Sequence, residues 1–281
     1  MKKALVVEGG AMRGIFAAGA LDKLMEENYF DFDFTIGVSA GATNLSTYVS
    51  KMHGLSKTII TQYATKREFF SPLRFVKGGH MTDVHWLWHY SRKALDIPCP
   101  TNNSTIPLYV GVTNVSSGEC EYIKATADNI DDLMVASCAL PTAFRDQPSI
   151  NGQCYVDGGV ADAIPVRQSY AMGARDITVI LSQPYGFTKP ELKSTWLLEK
   201  MYGEQPALLN TLLQRAKTYN ETLSFLNHPP QDCKVTLIAP EEGFCVKRLT
   251  MDKKKLIKGY AMGKRMSRRY LKGLDNVRKA S

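Results

Sequence analysis

The chain has 281 residues, 44% of them hydrophobic and 22% charged, with a formal net charge of +8. That composition suits a globular protein with a sizeable core, and no stretch is long and apolar enough to span a membrane as a helix. The six cysteines (Cys99, Cys120, Cys138, Cys154, Cys233, Cys245) show no C-x-x-C pair and no metal-finger spacing, so they read as free thiols of a cytosolic protein, packed as small apolar residues.

Residues 4–7 read as a first buried strand. Their apolar run stops at Glu8, too soon for the core of a signal peptide. The strand feeds Gly9-Gly10-Ala11-Met12-Arg13-Gly14, where glycines let successive N–H groups line one concavity that accepts an anion. The alternative is a tight strand–helix turn or a phosphate loop. The dinucleotide fingerprint is absent and no G-K-[ST] follows, which speaks against a nucleotide. Residues 15–27 read as a helix whose alanines allow close packing.

Residues 32–36 alternate apolar and polar and predict a strand; residues 40–52 predict a helix. Between them lies Gly37-Val38-Ser39-Ala40-Gly41. A G-x-S-x-G pentapeptide between strand and helix is the setting of a nucleophilic serine on a strained corner. The competing reading is an ordinary glycine-rich turn. A further helix is expected over 55–68, then an irregular aromatic stretch over 69–100. That stretch reads equally as a cap over an apolar entrance or as an aromatic layer on the core. His85 and His89 would share a helix face, but a zinc pair needs a third ligand and the H-E-x-x-H pattern is missing.

Residues 107–115 and 119–124 read as a hairpin, and 129–140 as a helix stopped by Pro141. A short strand at 154–156 ends in Asp157-Gly158-Gly159. This is either a plain turn or a corner that projects a carboxylate past the sheet edge. A helix over 166–172 and an apolar strand over 177–181 follow. Beyond a Pro-bounded change at 184–190, helices are expected at 192–202, 207–226 and 252–271, with one strand at 234–239 on the sheet edge. Residues 247–281 carry 13 Lys and Arg against 2 Asp and Glu. Such a basic segment suggests peripheral contact with an anionic membrane; the plainer reading is a solvated helix face. No recognised nucleic-acid module is present, and no motif bears on the oligomeric state.

A serine hydroxyl needs a base. Of the five histidines, His53, His80, His85 and His89 fall early, and His228 is the one late candidate for a triad, in a polar loop before two prolines. Asp157 is the stronger candidate, because Ser39 and the Gly9–Gly14 loop lie at strand C-termini, which gather at one edge of a parallel sheet. On this ordered set the chain resembles the patatin-like phospholipases: the glycine-rich loop with Arg13, the elbow around Ser39, the Asp157-Gly158 pair, and Ala136-Ser137-Cys138-Ala139-Leu140-Pro141 before it. The likeness covers about residues 4–185.

Alternating strands and helices imply an α/β three-layer sandwich with a mainly parallel sheet, patatin-like over a catalytic domain of 1–190, with a mainly helical extension over 191–281. The resemblance implies a Ser39–Asp157 dyad without histidine, acting on acyl esters of lipids and needing no cofactor. Gly9, Gly10, Ala11, Arg13, Gly14 and Ala40 would form the oxyanion and binding loop, with Gly37, Gly41 and Gly158 supporting the turns. Ala11 replaces the family's third glycine, and alanine tolerates positive φ poorly. Arg13 either shapes the loop or meets a substrate phosphate. The expected setting is the cytoplasm, with the inner membrane surface as the site of any lipid contact. The rival readings are an acyltransferase using the same acyl-enzyme and a non-catalytic membrane-surface protein.

Overall fold

The computed structural model describes residues 1–97, 104–192 and 194–280, with side chains described up to residue 274. Cys99 and the end of the aromatic stretch lie outside the described residues. In chain order the elements are β1 (Lys2–Val7), α1 (Gly14–Glu26), β2 (Phe34–Val38), α2 (Ala40–Val49), α3 (Leu55–Thr58), α4 (Pro72–Val76), α5 (Val84–Ala94), β3 (Leu108–Asn114), β4 (Cys120–Lys124), α6 (Ile130–Cys138), β5 (Ser149–Ile150), β6 (Gln153–Asp157), α7 (Val166–Ala171), β7 (Ala174–Ile180), α8 (Trp196–Tyr202), α9 (Pro206–Asn227), β8 (Lys234–Ile238) and α10 (Lys253–Ala280).

Among the described residues eight strands make one mixed sheet in the order β5-β6-β3-β2-β1-β7-β8, with β4 also on β3. The centre, β3-β2-β1-β7-β8, is parallel, and β4 and β6 run antiparallel to β3. Side chains of β1 alternate between faces, as a strand's period of two requires. Leu5 and Val7 join Phe16, Leu21 and Leu45 on one side, and Ala4 and Val6 join Val166, Tyr219 and Leu226 on the other. Both faces are covered by helices, which is why the apolar runs at 4–7 in β1 and 177–181 at β7 are nearly continuous. The expected three-layer α/β sandwich is thus present, and β8 closes one edge.

Several boundaries differ from the sequence reading. β2 starts two residues later than expected, because Asp33 is spent accepting the Lys3 amide at 2.7 Å rather than extending the ladder. The helix from Leu55 passes into a π-helical turn at Ile59–Tyr63 and ends near Ala64. The stretch read as irregular holds α4 and α5. Their starts are capped by Ser71, which accepts the Arg74 amide at 3.2 Å, and by Asp83, which accepts the Trp86 amide at 2.9 Å.

α10 lies along α1. An added Cβ at Gly19 would overlap the Tyr260 carbonyl, and one at Gly263 would overlap the Phe16 carbonyl. The two glycines therefore let the helices cross with backbones in contact. The apolar stripe of α10 is consumed there: Leu256 and Tyr260 pack with Ile15 and Ala18, and Met266 and Tyr270 reach the main core. Of the outward cations, Lys264 pairs with Glu26 at 2.5 Å, and Arg265 and Arg269 pair with Glu241.

Candidate active site

Ser39 sits between β2 and α2 with φ 54° and ψ −128°, a conformation that strains any residue with a Cβ. Its neighbours explain why it is held. A Cβ at Gly37 would come within 2.8 Å of Leu45, and one at Gly41 would strike the Val7 carbonyl, so only glycine admits the turn. The corner is also pinned from behind. The Ser39 amide donates to Ser137 Oγ at 2.8 Å, and Ser137 Oγ donates to the Gly111 carbonyl at 2.7 Å.

Asp157 is the last residue of β6. Its Oδ1 accepts the Gly159 amide at 2.8 Å, and its own amide donates to the Ala139 carbonyl at 2.9 Å. The sequence reading placed Asp157 beside Ser39 by the parallel-sheet edge rule; the juxtaposition is present but its cause is different. β2 pairs with Leu108–Gly111 of β3, and β6 pairs antiparallel with Val112–Asn114. β4 occupies the opposite edge of both stretches. Hence β2 and β6 share one edge of β3 and meet end to end, Val38 opposite Gly111 and Asp157 opposite Val112. Gly158 sits so close to the Gly111 carbonyl that a Cβ would overlap it.

Burial pushes the Asp157 carboxyl above the usual aspartate range; Arg215, the Ser39 hydroxyl and the Gly159 amide pull it back only in part. A carboxylate in that position is a better proton acceptor than one in water. Cys138 lies beside the same hydroxyl, but burial pushes its thiol up to about 12, which leaves it inert.

The Gly9–Gly14 loop faces the corner. Gly9, Met12 and Arg13 donate their amides to the carbonyls of Ala163, Arg248 and Gly10. Among the described residues the Gly10 and Ala11 amides have no backbone acceptor, nor does that of Ala40 at the start of α2. Ala11 adopts φ 49°, so alanine does occupy the left-handed position that raised doubt from sequence. Gly14 lets α1 pass within a Cβ contact of Ala40. Arg13 is buried and faces Glu8 at 3.9 Å. Glu8 in turn accepts the Ser182 amide at 2.6 Å and the Tyr219 hydroxyl at 3.1 Å. Burial drives the Arg13 pKa down, with Glu8 opposing.

Ser39, Asp157, Gly10 and Ala11 open on one cavity of about 350 Å³ whose far walls are Met52, Ile59, Phe69, Leu87, Trp88 and other apolar side chains. A model of the patatin-like phospholipase family matches residues 5–170.

The chain belongs to the patatin-like phospholipase family.

A second model, a domain of unknown function (DUF6363), matches residues 205–277 of this patatin-like chain. The chain is 35% identical over 246 residues to the uncharacterized protein YjjU of Escherichia coli K12, across 84% of this chain and 68% of that protein. It is 33% identical over 93 residues to mouse 1-acylglycerol-3-phosphate O-acyltransferase Pnpla3, across 31% of this chain and 21% of the mouse protein. VipD of Legionella pneumophila aligns with 97% of this chain and 67% of its own, at 13% identity and a TM-score of 0.45.

None of the five histidines of this patatin-like chain lines the cavity. His53 pairs with Glu26 at 3.1 Å, His80 stands 3.5 Å from Asp146, the His85 and His89 rings stack at 5.9 Å, and His228 closes α9. Of the two readings of the aromatic stretch, the packed layer is seen: Phe69 and Trp88 pack with Val135 and Phe144 while also lining the cavity, and Trp86 stacks on Tyr90 away from it. Sequence reasoning missed Ser137 as the elbow's brace, Glu8 as the loop's anchor, and Arg215 and Arg248 as cavity residues. The first lay inside a noted motif. The arginines carried no local signal, because their role depends on where α9 and the loop before α10 land.

Proposed function

We propose that the protein is a serine acyl hydrolase for carboxylic esters of lipids, with Ser39 as nucleophile and Asp157 as general base. The observation that carries this reading is the meeting of Ser39 and Asp157 at one end of an apolar cavity, opposite the unspent amides of Gly10 and Ala11. Asp157 takes the hydroxyl proton as Ser39 Oγ attacks the ester carbonyl. The Gly10 and Ala11 amides, with that of Ala40, hold the oxyanion, each such donor being worth about 2.7–4 kcal/mol. Collapse forms the seryl ester, breaks the substrate's acyl–oxygen bond, and returns the proton from Asp157 to the departing alcohol. Water then attacks the seryl ester, Asp157 again accepting its proton, and Ser39 and the free acid are released.

Ser39→Ala is expected to lower kcat on a p-nitrophenyl ester at least a thousandfold and to abolish labelling by a fluorophosphonate, with the fold intact by circular dichroism. Asp157→Asn is expected to do nearly the same, since an amide accepts no proton. An active Asp157→Asn enzyme joined to an inactive His228→Ala one would replace the dyad with a triad. A second reading, acyl transfer from the same intermediate, draws on the acyltransferase named among the relatives. Product analysis with glycerol present separates it, because transfer yields new glyceride and hydrolysis yields only free acid.

A further inference from the structure

The catalytic end of the cavity is unusually cationic for so enclosed a place. Arg215 of α9 and Arg248, in the segment before α10, line it together with Ser39 and Asp157. Arg215 Nε donates to the Gly159 carbonyl at 2.8 Å, directly behind Asp157. The carbonyl of Arg248 accepts the Met12 amide at 3.3 Å, so its backbone is clamped to the loop opposite Ser39. Arg13 lies behind them with its Nε buried and unpartnered. Lys189 Nζ, buried under the Tyr219 ring at 4.8 Å, also has no hydrogen-bond partner. Of these groups only Arg215 and Arg248 line the cavity, and among the described residues the one carboxylate that lines it with them is Asp157.

The charges are not self-cancelling. The Arg215 guanidinium is pushed down to about 10, first by burial and next by Arg248, with Asp157 opposing. Lys189 is pushed down to about 6 by burial and then by Arg215 and Arg248, so it is mostly uncharged at neutral pH and adds no cation of its own. Cations held this close in a low-dielectric pocket repel one another, and an anion placed between them would relieve that repulsion. Glu8 is already committed to Ser182 and Tyr219. Among the described residues no carboxylate pairs with the Arg248 guanidinium, which is half-buried and reaches the cavity. Arg13 faces Glu8 and does not line the cavity, which leaves Arg215 and Arg248 as the guanidiniums beside Ser39.

We propose that Arg215 and Arg248 form an anion subsite beside Ser39, which selects esters carrying a phosphate-type group near the scissile bond. The apolar walls take the acyl chain and the two guanidiniums take the charged end, so the ester carbonyl is fixed between them. A guanidinium fork suits a phosphate's paired oxygens better than an ammonium would. Both arginines come from the C-terminal region, Arg215 and Arg248 falling within residues 205–277, so that region supplies the selectivity while the N-terminal motifs supply the chemistry. The inference rests on the hydrolase reading above for its substrate class.

The test uses a monoacylglycerol and the same molecule bearing a terminal phosphate. In the wild type, kcat/KM is expected to favour the phosphate-bearing ester. In Arg248→Gln that preference is expected to fall at least tenfold, through KM for the phosphate-bearing ester, while Arg248→Lys retains most of it. An unchanged preference in a folded Arg248→Gln enzyme overturns the proposal. So does an equal loss on both esters through kcat with KM unchanged, which would make Arg248 a support of the catalytic centre instead. Calorimetry on the inert Ser39→Ala protein supplies a readout independent of turnover: the phosphate-bearing lipid should bind at least tenfold more weakly when Arg248→Gln is added. Equal affinity overturns the subsite even if no ester is hydrolysed, and weaker binding upholds it even if the hydrolase reading fails. Inorganic phosphate that binds the Ser39→Ala protein more tightly than the phosphate-bearing lipid would mark a free-anion site and overturn the substrate role.

Discussion

Asp157 carries a conflict between fold and function. A carboxyl whose pKa is raised by burial holds its proton more tightly in the folded protein than in the unfolded chain. It therefore supports the fold below the ordinary aspartate range and opposes it as pH rises through its shifted value. Asp157→Asn, uncharged throughout, is expected to raise Tm at pH 8 relative to the wild type and to change it little at pH 4, as differential scanning calorimetry would read. The same shift sets the acid limb of activity. The base must be ionised, so kcat/KM should fall with decreasing pH at a point above the usual aspartate value. Arg215→Met, which removes a charge that lowers the Asp157 pKa, should move that limb to higher pH. Ser137 is braced at both ends, so Ser137→Ala leaves the Ser39 amide and the Gly111 carbonyl without their partner. A loss of about 1–3 kcal/mol in denaturant unfolding is expected, with kcat falling more than KM rises. At this scale the sequence was most legible where chemistry demands one residue type at one spacing, as at Gly37, Ser39, Gly41 and Asp157. It was least legible for side chains whose partners lie far along the chain, such as Glu8 with Tyr219 or Ser39's brace Ser137 with Gly111.

Among the elements, apolar spacing marked α9 and α10, whereas α1 and α2 were marked by runs of small residues that suit helices buried on most sides. It gave less for α4 and α5. α4 is only five residues long, and the marks of both starts are local: Ser71 with Pro72 for α4 and Asp83 for α5. The direction of β6 was equally hidden, since a five-residue strand reads the same whichever way it runs. The crossing of α1 and α10 depends on Gly19 and Gly263, whose missing side chains let two backbones touch. Overpacking such a contact costs about 1–3 kcal/mol, so Gly263→Val is expected to lower Tm by about 3–8 °C. Thermal unfolding by circular dichroism checks it, and an unchanged Tm would mean that the helices separate freely. With Leu256 and Tyr260 of α10 buried against α1, its outward side carries Lys264, Arg265 and Arg269 together with the exposed Ile257.

In the whole molecule, the family motifs and the basic C-terminal stretch look separable along the chain but share one core. β8 pairs with β7, Tyr219 and Leu226 pack under β1, and Val246, Leu256 and Tyr260 close over Met12 and Ile15. A 1–190 fragment would expose all of these surfaces and is expected to be insoluble or molten, as tested by expression and by the loss of near-ultraviolet dichroism. One consequence of the shared edge of β3 belongs to the molecule as a whole. The gap between hydroxyl and carboxylate is indexed by a ladder of peptide groups, not by any loop. Sliding β6 two places along that ladder would carry the carboxylate about 7 Å away, and sliding it one place would turn it to the far side of the sheet. Loops around this centre are thus free to lengthen or diverge, while the count of residues from Gly111 to Val112 and from Asp157 to Tyr155 is not.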